Sequence, residues 1–204
     1  MKPTKTSRTN KVAPATGLPT IAFAAPLAFS DWLAGHHDSS PGLWLRLARK
    51  ASGTESITYA EAIDVALAWG WIDGQKRRGD EASWLQKFTP RGASSLWSRI
   101  NREKALALIE AGAMRPAGLA EVERAKKDGR WDVAYDPPSR STVPDDLRAA
   151  LAAEAGAAAF FRSLDAKNRY AVLWRVQTAK KAETRQKRIA GLVAMLARGE
   201  KVHP

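Results

Sequence analysis

The hydrophobic pattern of this chain changes near Ser98. Before that residue, short β-prone runs alternate with helical stretches; after it, apolar residues recur only at the three- and four-residue spacing of helices. Strand signals lie at residues 20–24, 43–49 and 84–88. We therefore predict an α+β fold: a small sheet of about three short strands covered by helices, followed by an all-helical C-terminal unit.

Two local motifs support this assignment. Thr58 and Glu61 have the spacing of a capping box, in which each side chain accepts a hydrogen bond from the other residue's backbone, so a helix is predicted to begin there. That helix ends near residue 69. Residues 71–73 then lie between two glycines, and we interpret them as a tight turn.

The composition along the chain predicts its division into domains. Residues 1–18 are basic and are predicted to be a disordered tail, and residues 19–131 carry the strand signals of an α+β core domain. Residues 132–143 are polar and contain two adjacent prolines, which is typical of a linker. The remaining segment, residues 144–204, is predicted to be the helical C-terminal unit.

The net charge of +12 is concentrated at the two ends of the chain. Residues 1–20 carry a charge of +4 and residues 162–204 a charge of +8, whereas the segment between them is neutral. Cationic ends attract polyanions, including nucleic acid without sequence preference. The candidate basic surface comprises Lys180, Lys181, Arg185, Lys187 and Arg188. It is either a partner-binding surface or a solvated helix face, and its lack of interleaved aromatic residues argues against a stacking platform for single strands.

Several kinds of chemistry are excluded by what the sequence lacks. It has no cysteine, so no thiolate metal site or disulfide framework can form. With only three histidines, no pattern indicates a catalytic triad, and we expect no metal and no cofactor. Pro19 and Pro26 interrupt the apolar stretch that follows the basic N-terminal residues. Because that interruption prevents a continuous export signal, and because no apolar run is long enough for a transmembrane segment, we expect a cytoplasmic protein.

The most probable ligand site lies between residues 70 and 101. Arginine offers paired donors to carboxylates and phosphates, a helix N-terminus favours an anion, and tryptophan supplies flat apolar walls. The candidate ligand-binding residues are Asp73, Lys76, Trp84, Phe88, Arg91, Trp97, Ser98 and Asn101. Each also has a purely structural explanation: Asp73 can pair with Arg91, Ser98 can cap its helix, and the tryptophans can belong to the core.

The same sequence resembles the YdeI/OmpD-associated proteins of bacteria. The resemblance covers residues 20–204 and rests on the segments 37–44, 58–62, 70–74, 88–91, 97–101 and 114–119. Residues 144–200 resemble the bacteriocin-protection unit of that family, although Ala182 stands where a proline is expected between the last two helices. The resemblance implies a cytoplasmic bacterial stress-protection protein linked to bacteriocin or antimicrobial-peptide resistance. It implies no established reaction.

Three functions follow from these observations. The first is a protection protein that binds a small anionic ligand or a protein partner near Asp73 and Arg91. The second is a nucleic-acid-associated protein that acts through its basic ends. The third is an enzyme that uses Asp73 with Arg91 or Asn101, and the sequence favours it least because no second catalytic group is marked.

Overall fold

The computed structural model describes residues 17–204, so the tail predicted for residues 1–18 lies almost entirely outside the described residues. The described part contains four β-strands, one short 3-10 helix and eight α-helices, which confirms the α+β class. In chain order, these elements are β1 (Thr20–Ala22), α1 (Pro26–His36), β2 (Leu43–Ala48), the 3-10 helix (Lys50–Ser52), α2 (Tyr59–Ala68), β3 (Trp71–Arg78), β4 (Ser83–Pro90), α3 (Arg99–Glu110), α4 (Pro116–Lys127), α5 (Asp145–Ala152), α6 (Ala155–Ser163), α7 (Ala166–Gln177) and α8 (Ala182–Ala197).

The strands form one mixed sheet in the order β1-β2-β4-β3. β1 pairs in parallel with β2, and the other two pairs are antiparallel. The turn predicted at residues 71–73 was wrong, because these residues begin β3 and pair with the end of β4. The two glycines that suggested a turn have other roles: Gly70 takes a φ of 74° where α2 ends, and Gly74 lies in a register shift of β3.

The predicted alternation in β2 sets the position of the first core. Leu43, Leu45 and Leu47 are almost completely buried on the face that packs against helices α1 and α2. Phe88 of β4 lies opposite Leu43, and its ring centroid is 5.7 Å from that of Phe29 on α1. Burial of each such side chain contributes about 1.5–3 kcal/mol, so this face holds the sheet and the two helices together.

The capping box at the start of α2 is confirmed. The backbone N–H of Glu61 donates to Thr58 Oγ1 at 3.3 Å, and the backbone N–H of Thr58 donates to Glu61 Oε2 at 2.8 Å. The box makes Tyr59 the first residue of the helix, on the side of the domain where β3 carries Asp73.

Helix α4 packs against the end of α2 at unusually short range. The backbone N–H of Arg115 donates to the carbonyl of Ala68 at 3.0 Å. A Cβ atom on Gly118 would lie 2.3 Å from that carbonyl oxygen and 2.8 Å from the carbonyl oxygen of Leu67. Only glycine fits there, because real Cβ contacts are longer than 3.0 Å.

The C-terminal part consists of α5 to α8 and has a second cluster of buried side chains that shares no residue with the first. Its members include Leu147, Phe161, Val172, Ile189 and Leu196. Residues 132–143 between the two parts contain no helix, and the exact domain boundaries stay a prediction. Within residues 17–204, no helix has both the length and the apolar character needed to cross a lipid bilayer.

Candidate functional site

A cavity of about 480 Å³ lies between helices α2 and α3, strand β3 and the segment that precedes α5. We call it the tyrosine cavity. Its lining residues are Tyr59, Ala60, Ile63, Asp73, Ser98, Ile100, Asn101, Lys104, Tyr135, Pro137, Pro138 and Tyr170. Three of the predicted ligand-binding residues, Asp73, Ser98 and Asn101, therefore meet in one hollow.

Asp73 is held by Tyr59. The Tyr59 hydroxyl donates to Asp73 Oδ2 at 2.6 Å, and this is the one side-chain hydrogen bond that Asp73 makes within residues 17–204. Burial raises the pKa of the Tyr59 hydroxyl, and the Asp73 carboxylate raises it further. Tyr59 thus stays protonated and donates to the carboxylate at any physiological pH.

The start of α3 is fixed by the segment around Tyr135. Ser98 caps α3 by accepting a hydrogen bond from the backbone N–H of Asn101 at 3.1 Å, as its structural explanation predicted. The backbone N–H of Arg99 donates to the Tyr135 carbonyl at 2.8 Å, and that of Tyr135 donates to the Trp97 carbonyl at 3.0 Å. These bonds bring Tyr135 to the cavity wall beside the helix N-terminus.

Arg91 does not reach the cavity. Its side chain is only 5% exposed, and its guanidinium carbon lies 3.7 Å from the ring centroid of Trp97. Burial lowers the pKa of Arg91 to about 10, and Nη1 donates to the Leu96 carbonyl at 3.3 Å. No ion pair joins it to Asp73 within the described residues, so neither the predicted shared site nor the alternative Asp73–Arg91 pair is present.

The other predicted residues also lie outside the cavity. Phe88 and Trp97 are buried at 0% and 1% exposure and belong to the first core. Lys76 lies on β3 with its Nζ 4.3 Å from the ring centroid of Trp84. The ring centroid of Trp84 lies 5.7 Å from that of Tyr59, so Lys76 and Trp84 form a surface next to the cavity.

The tyrosines were not among the predicted site residues. The chain has three, at positions 59, 135 and 170, and all of them line this cavity. The Tyr170 hydroxyl donates to the Asp136 carbonyl at 3.0 Å, and burial together with Tyr135 and Asp136 raises its pKa to about 12. No motif connects the three positions, because they come from three separate parts of the chain. The rarity of tyrosine was the one signal available.

A second, larger cleft of about 960 Å³ lies between residues 94–96 and 130 on one side and helices α7 and α8 on the other. We call it the basic cleft. Seven cationic residues line it: Arg130, Arg175, Lys180, Lys181, Lys187, Arg188 and Lys201. The remaining lining residues are uncharged, and its apolar ones are Leu96, Trp174, Leu192, Met195 and Val202.

The structure brings four of the five predicted basic-surface residues to this cleft, namely Lys180, Lys181, Lys187 and Arg188. Arg185 lies elsewhere, because its Nε and Nη2 donate to Asp146 at 2.5 and 2.9 Å. No local pattern indicated that Arg130 lines this cleft, because it is distant in the chain from helices α7 and α8.

Arg130 is the most constrained cation of the cleft. It is 1% exposed; its Nε donates to both carboxylate oxygens of Asp128 at 2.8 Å and its Nη1 donates to the Ser95 carbonyl at 2.6 Å. Its Nη2 is buried and has no hydrogen-bond partner within residues 17–204. Arg188 is also fixed, because its Nη1 donates to the carbonyl of Arg175 and to Thr178 Oγ1. Two guanidinium groups are thus held in place before any ligand binds.

Comparisons with known proteins match the two parts of the chain to different families. Residues 21–121 match a domain of unknown function (DUF8412). Residues 140–199 match the family described as bacteriocin-protection, YdeI or OmpD-associated. That match confirms the resemblance for the C-terminal unit and places the quoted segments before residue 121 under a separate family model. No curated protein and no solved structure matches the chain.

Proposed function

Because residues 140–199 match the family described as bacteriocin-protection, YdeI or OmpD-associated, we propose that the protein takes part in bacteriocin protection by binding an anionic molecule in its basic cleft. The family supplies the biological setting. The cleft indicates the class of ligand. The predicted anion site is thereby reassigned from the Asp73 region to the C-terminal unit.

One observation carries the proposal: seven cationic side chains and no carboxylate line a single concave surface. A concave wall of one charge sign concentrates the field that attracts an oppositely charged ligand. Outside the lining, the Asp128 carboxylate accepts hydrogen bonds from Arg130 and lies 3.7 Å from the Nζ of Lys180, so it offsets part of the charge of these two cations. The other five lining cations take part in no ion pair within residues 17–204.

The apolar residues of the cleft favour one class of anion. Trp174 is 36% exposed, and it lies with Leu192, Met195 and Val202 among the cationic residues. Binding sites of this kind orient a ligand through a few charged groups and gain free energy from apolar contact. We infer that the ligand has a phosphate or carboxylate head and an apolar body.

The nucleic-acid hypothesis shares the same cations and predicts a different binding behaviour. Phosphate-backbone contacts are lost steeply as salt increases, and they do not need an apolar surface. The concave shape and the apolar residues support a compact amphipathic anion in preference to a duplex.

Calorimetric titration with dodecyl phosphate, kept below its micelle concentration, tests the proposal. We expect the double variant Lys181→Gln/Lys187→Gln to bind at least tenfold more weakly than the unaltered chain, since both exposed lysines line the cleft. The matched control is Lys50→Gln/Lys127→Gln, which removes the same charge from two exposed lysines outside the cleft. An equal loss in both variants would show that only the net charge matters.

Two further titrants separate the alternatives. Inorganic phosphate should bind more weakly than dodecyl phosphate, because it gains nothing from the apolar residues. A short DNA duplex that binds tightly at 150 mM salt and displaces dodecyl phosphate would support the nucleic-acid hypothesis instead.

We also propose that this function is exercised in the cytoplasm. The absence of cysteine in the chain suits a reducing compartment. Cell fractionation with an antibody against the native protein checks this, and recovery from the periplasmic fraction would contradict it.

A further inference from the structure

We propose that the tyrosine cavity is a second ligand site, which binds an organic ammonium ion with an apolar body and uses Asp73 as the counter-ion. This site differs from the basic cleft in location and in charge. It therefore goes beyond the proposed function, and the two can be tested separately.

The walls of the cavity are aromatic and apolar. All three tyrosines of the chain line this cavity, together with Ile63, Pro137 and Pro138. Aromatic rings attract an ammonium group through their electron-rich faces, and they do so more strongly where water is partly excluded. A volume of about 480 Å³ admits an ammonium ion together with an aromatic or short aliphatic body.

The acidic residue of the cavity lining is Asp73. Asp73 takes part in no ion pair within the part of the chain that the structure describes, and its Oδ1 accepts no hydrogen bond there. The cation in the lining is already neutralised, because Lys104 Nζ lies 2.6 Å from Asp64 Oδ1. An entering anion would meet the carboxylate, whereas an entering ammonium ion would find an acceptor.

The Asp73 carboxylate is held in position by Tyr59. The Tyr59 hydroxyl donates to Oδ2 at 2.6 Å, and its raised pKa keeps it a donor. The Arg91 guanidinium, the buried cation of this region, lies against the Trp97 ring and outside the lining of the cavity. Asp73 therefore lines the cavity with one oxygen, Oδ1, that has no hydrogen-bond donor within residues 17–204.

An NMR titration of the full chain with three ligands of one shape tests the proposal. Phenethylammonium, 2-phenylethanol and 3-phenylpropanoate share a phenyl body and carry positive, zero and negative charge. At equal ionic strength, we expect phenethylammonium to bind at least tenfold more tightly than the alcohol and to shift the amide signals of residues 59–63, 98–101 and 135–138. Equal or tighter binding of the alcohol or the carboxylate at these residues would overturn the proposal.

Two variants locate the effect. Asp73→Asn keeps the shape of the side chain and an acceptor for Tyr59, and we expect it to weaken phenethylammonium binding at least tenfold. The matched control, Asp31→Asn, alters an exposed carboxylate of α1 outside the cavity and should change nothing. Ile100→Lys places an ammonium group at a cavity position that is 36% exposed and should abolish binding even if Asp73→Asn folds poorly.

The same titration distinguishes the two sites. The variant Lys181→Gln/Lys187→Gln should bind phenethylammonium with unchanged affinity, because its substitutions lie in the basic cleft. Unchanged binding in both Asp73→Asn and Ile100→Lys would show that the ammonium ion binds elsewhere, and the proposal would then be wrong.

Discussion

Replacement of Gly118 by alanine should destabilise the protein, although alanine is the better helix former. In an exposed helix interior, the change from glycine to alanine stabilises by about 1 kcal/mol. Here the new methyl group would lie 2.3 Å from the Ala68 carbonyl oxygen and 2.8 Å from that of Leu67. These are backbone atoms, which cannot rotate away, so α4 must move from α2. Overpacking of this kind costs about 1–3 kcal/mol, and contact with backbone places it at the upper end, about 3 kcal/mol.

The expected net result is a decrease of about 2 kcal/mol in the free energy of unfolding, measured by urea denaturation. Gly191→Ala in α8 is the matched control, because nothing lies within 4 Å of the added Cβ atom. It should increase the free energy of unfolding by about 0.5–1 kcal/mol. If Gly118→Ala proves as stable as the unaltered chain, the close contact between α2 and α4 does not exist.

Two other substitutions test the local interactions. Thr58→Ala removes the hydroxyl of the capping box and should lower the free energy of unfolding by about 1 kcal/mol. Thr58→Ser keeps a hydroxyl and should retain most of this stabilisation. Equal losses in the two variants would contradict the capping role. Hydrogen bonds from Arg185 hold the pKa of Asp146 below its ordinary value of 3.8, so this stabilisation is present above that value and is lost as the pH falls through the lower folded-state pKa. The urea midpoint of Asp146→Asn should therefore fall less between pH 5 and 2 than that of the unaltered chain, and parallel curves would show that the pair contributes nothing.

The sequence predicted the elements whose signals are local. The alternation of Leu43, Leu45 and Leu47 predicted β2, and the spacing of Thr58 and Glu61 predicted the start of α2. β3 was missed because its first residues lie between two glycines, which suggest a turn when no pairing partner is known. The strand depends on pairing with β4, a tertiary interaction that a local pattern does not contain.

The candidate sites were less predictable for the same reason. Asp73, Ser98 and Asn101 line one cavity, whereas Arg91 lies outside its lining, against the Trp97 ring. The positions of these residues in the sequence do not show on which side of the sheet each side chain lies. For the basic cleft, the local charge of the sequence indicated the residues of α8. The contribution of Arg130 depends on how the two parts of the chain pack, which a local pattern does not contain.

A crystal structure grown with selenate shows whether the basic cleft binds an anionic group. Selenate carries the charge and tetrahedral shape of a phosphate head, and the anomalous scattering of selenium identifies its position. We expect an anomalous peak within hydrogen-bond distance of Arg130, Lys180 or Arg188. If the peaks are confined to other surfaces, with the cleft open to solvent and empty of selenate, the cleft is not an anion site.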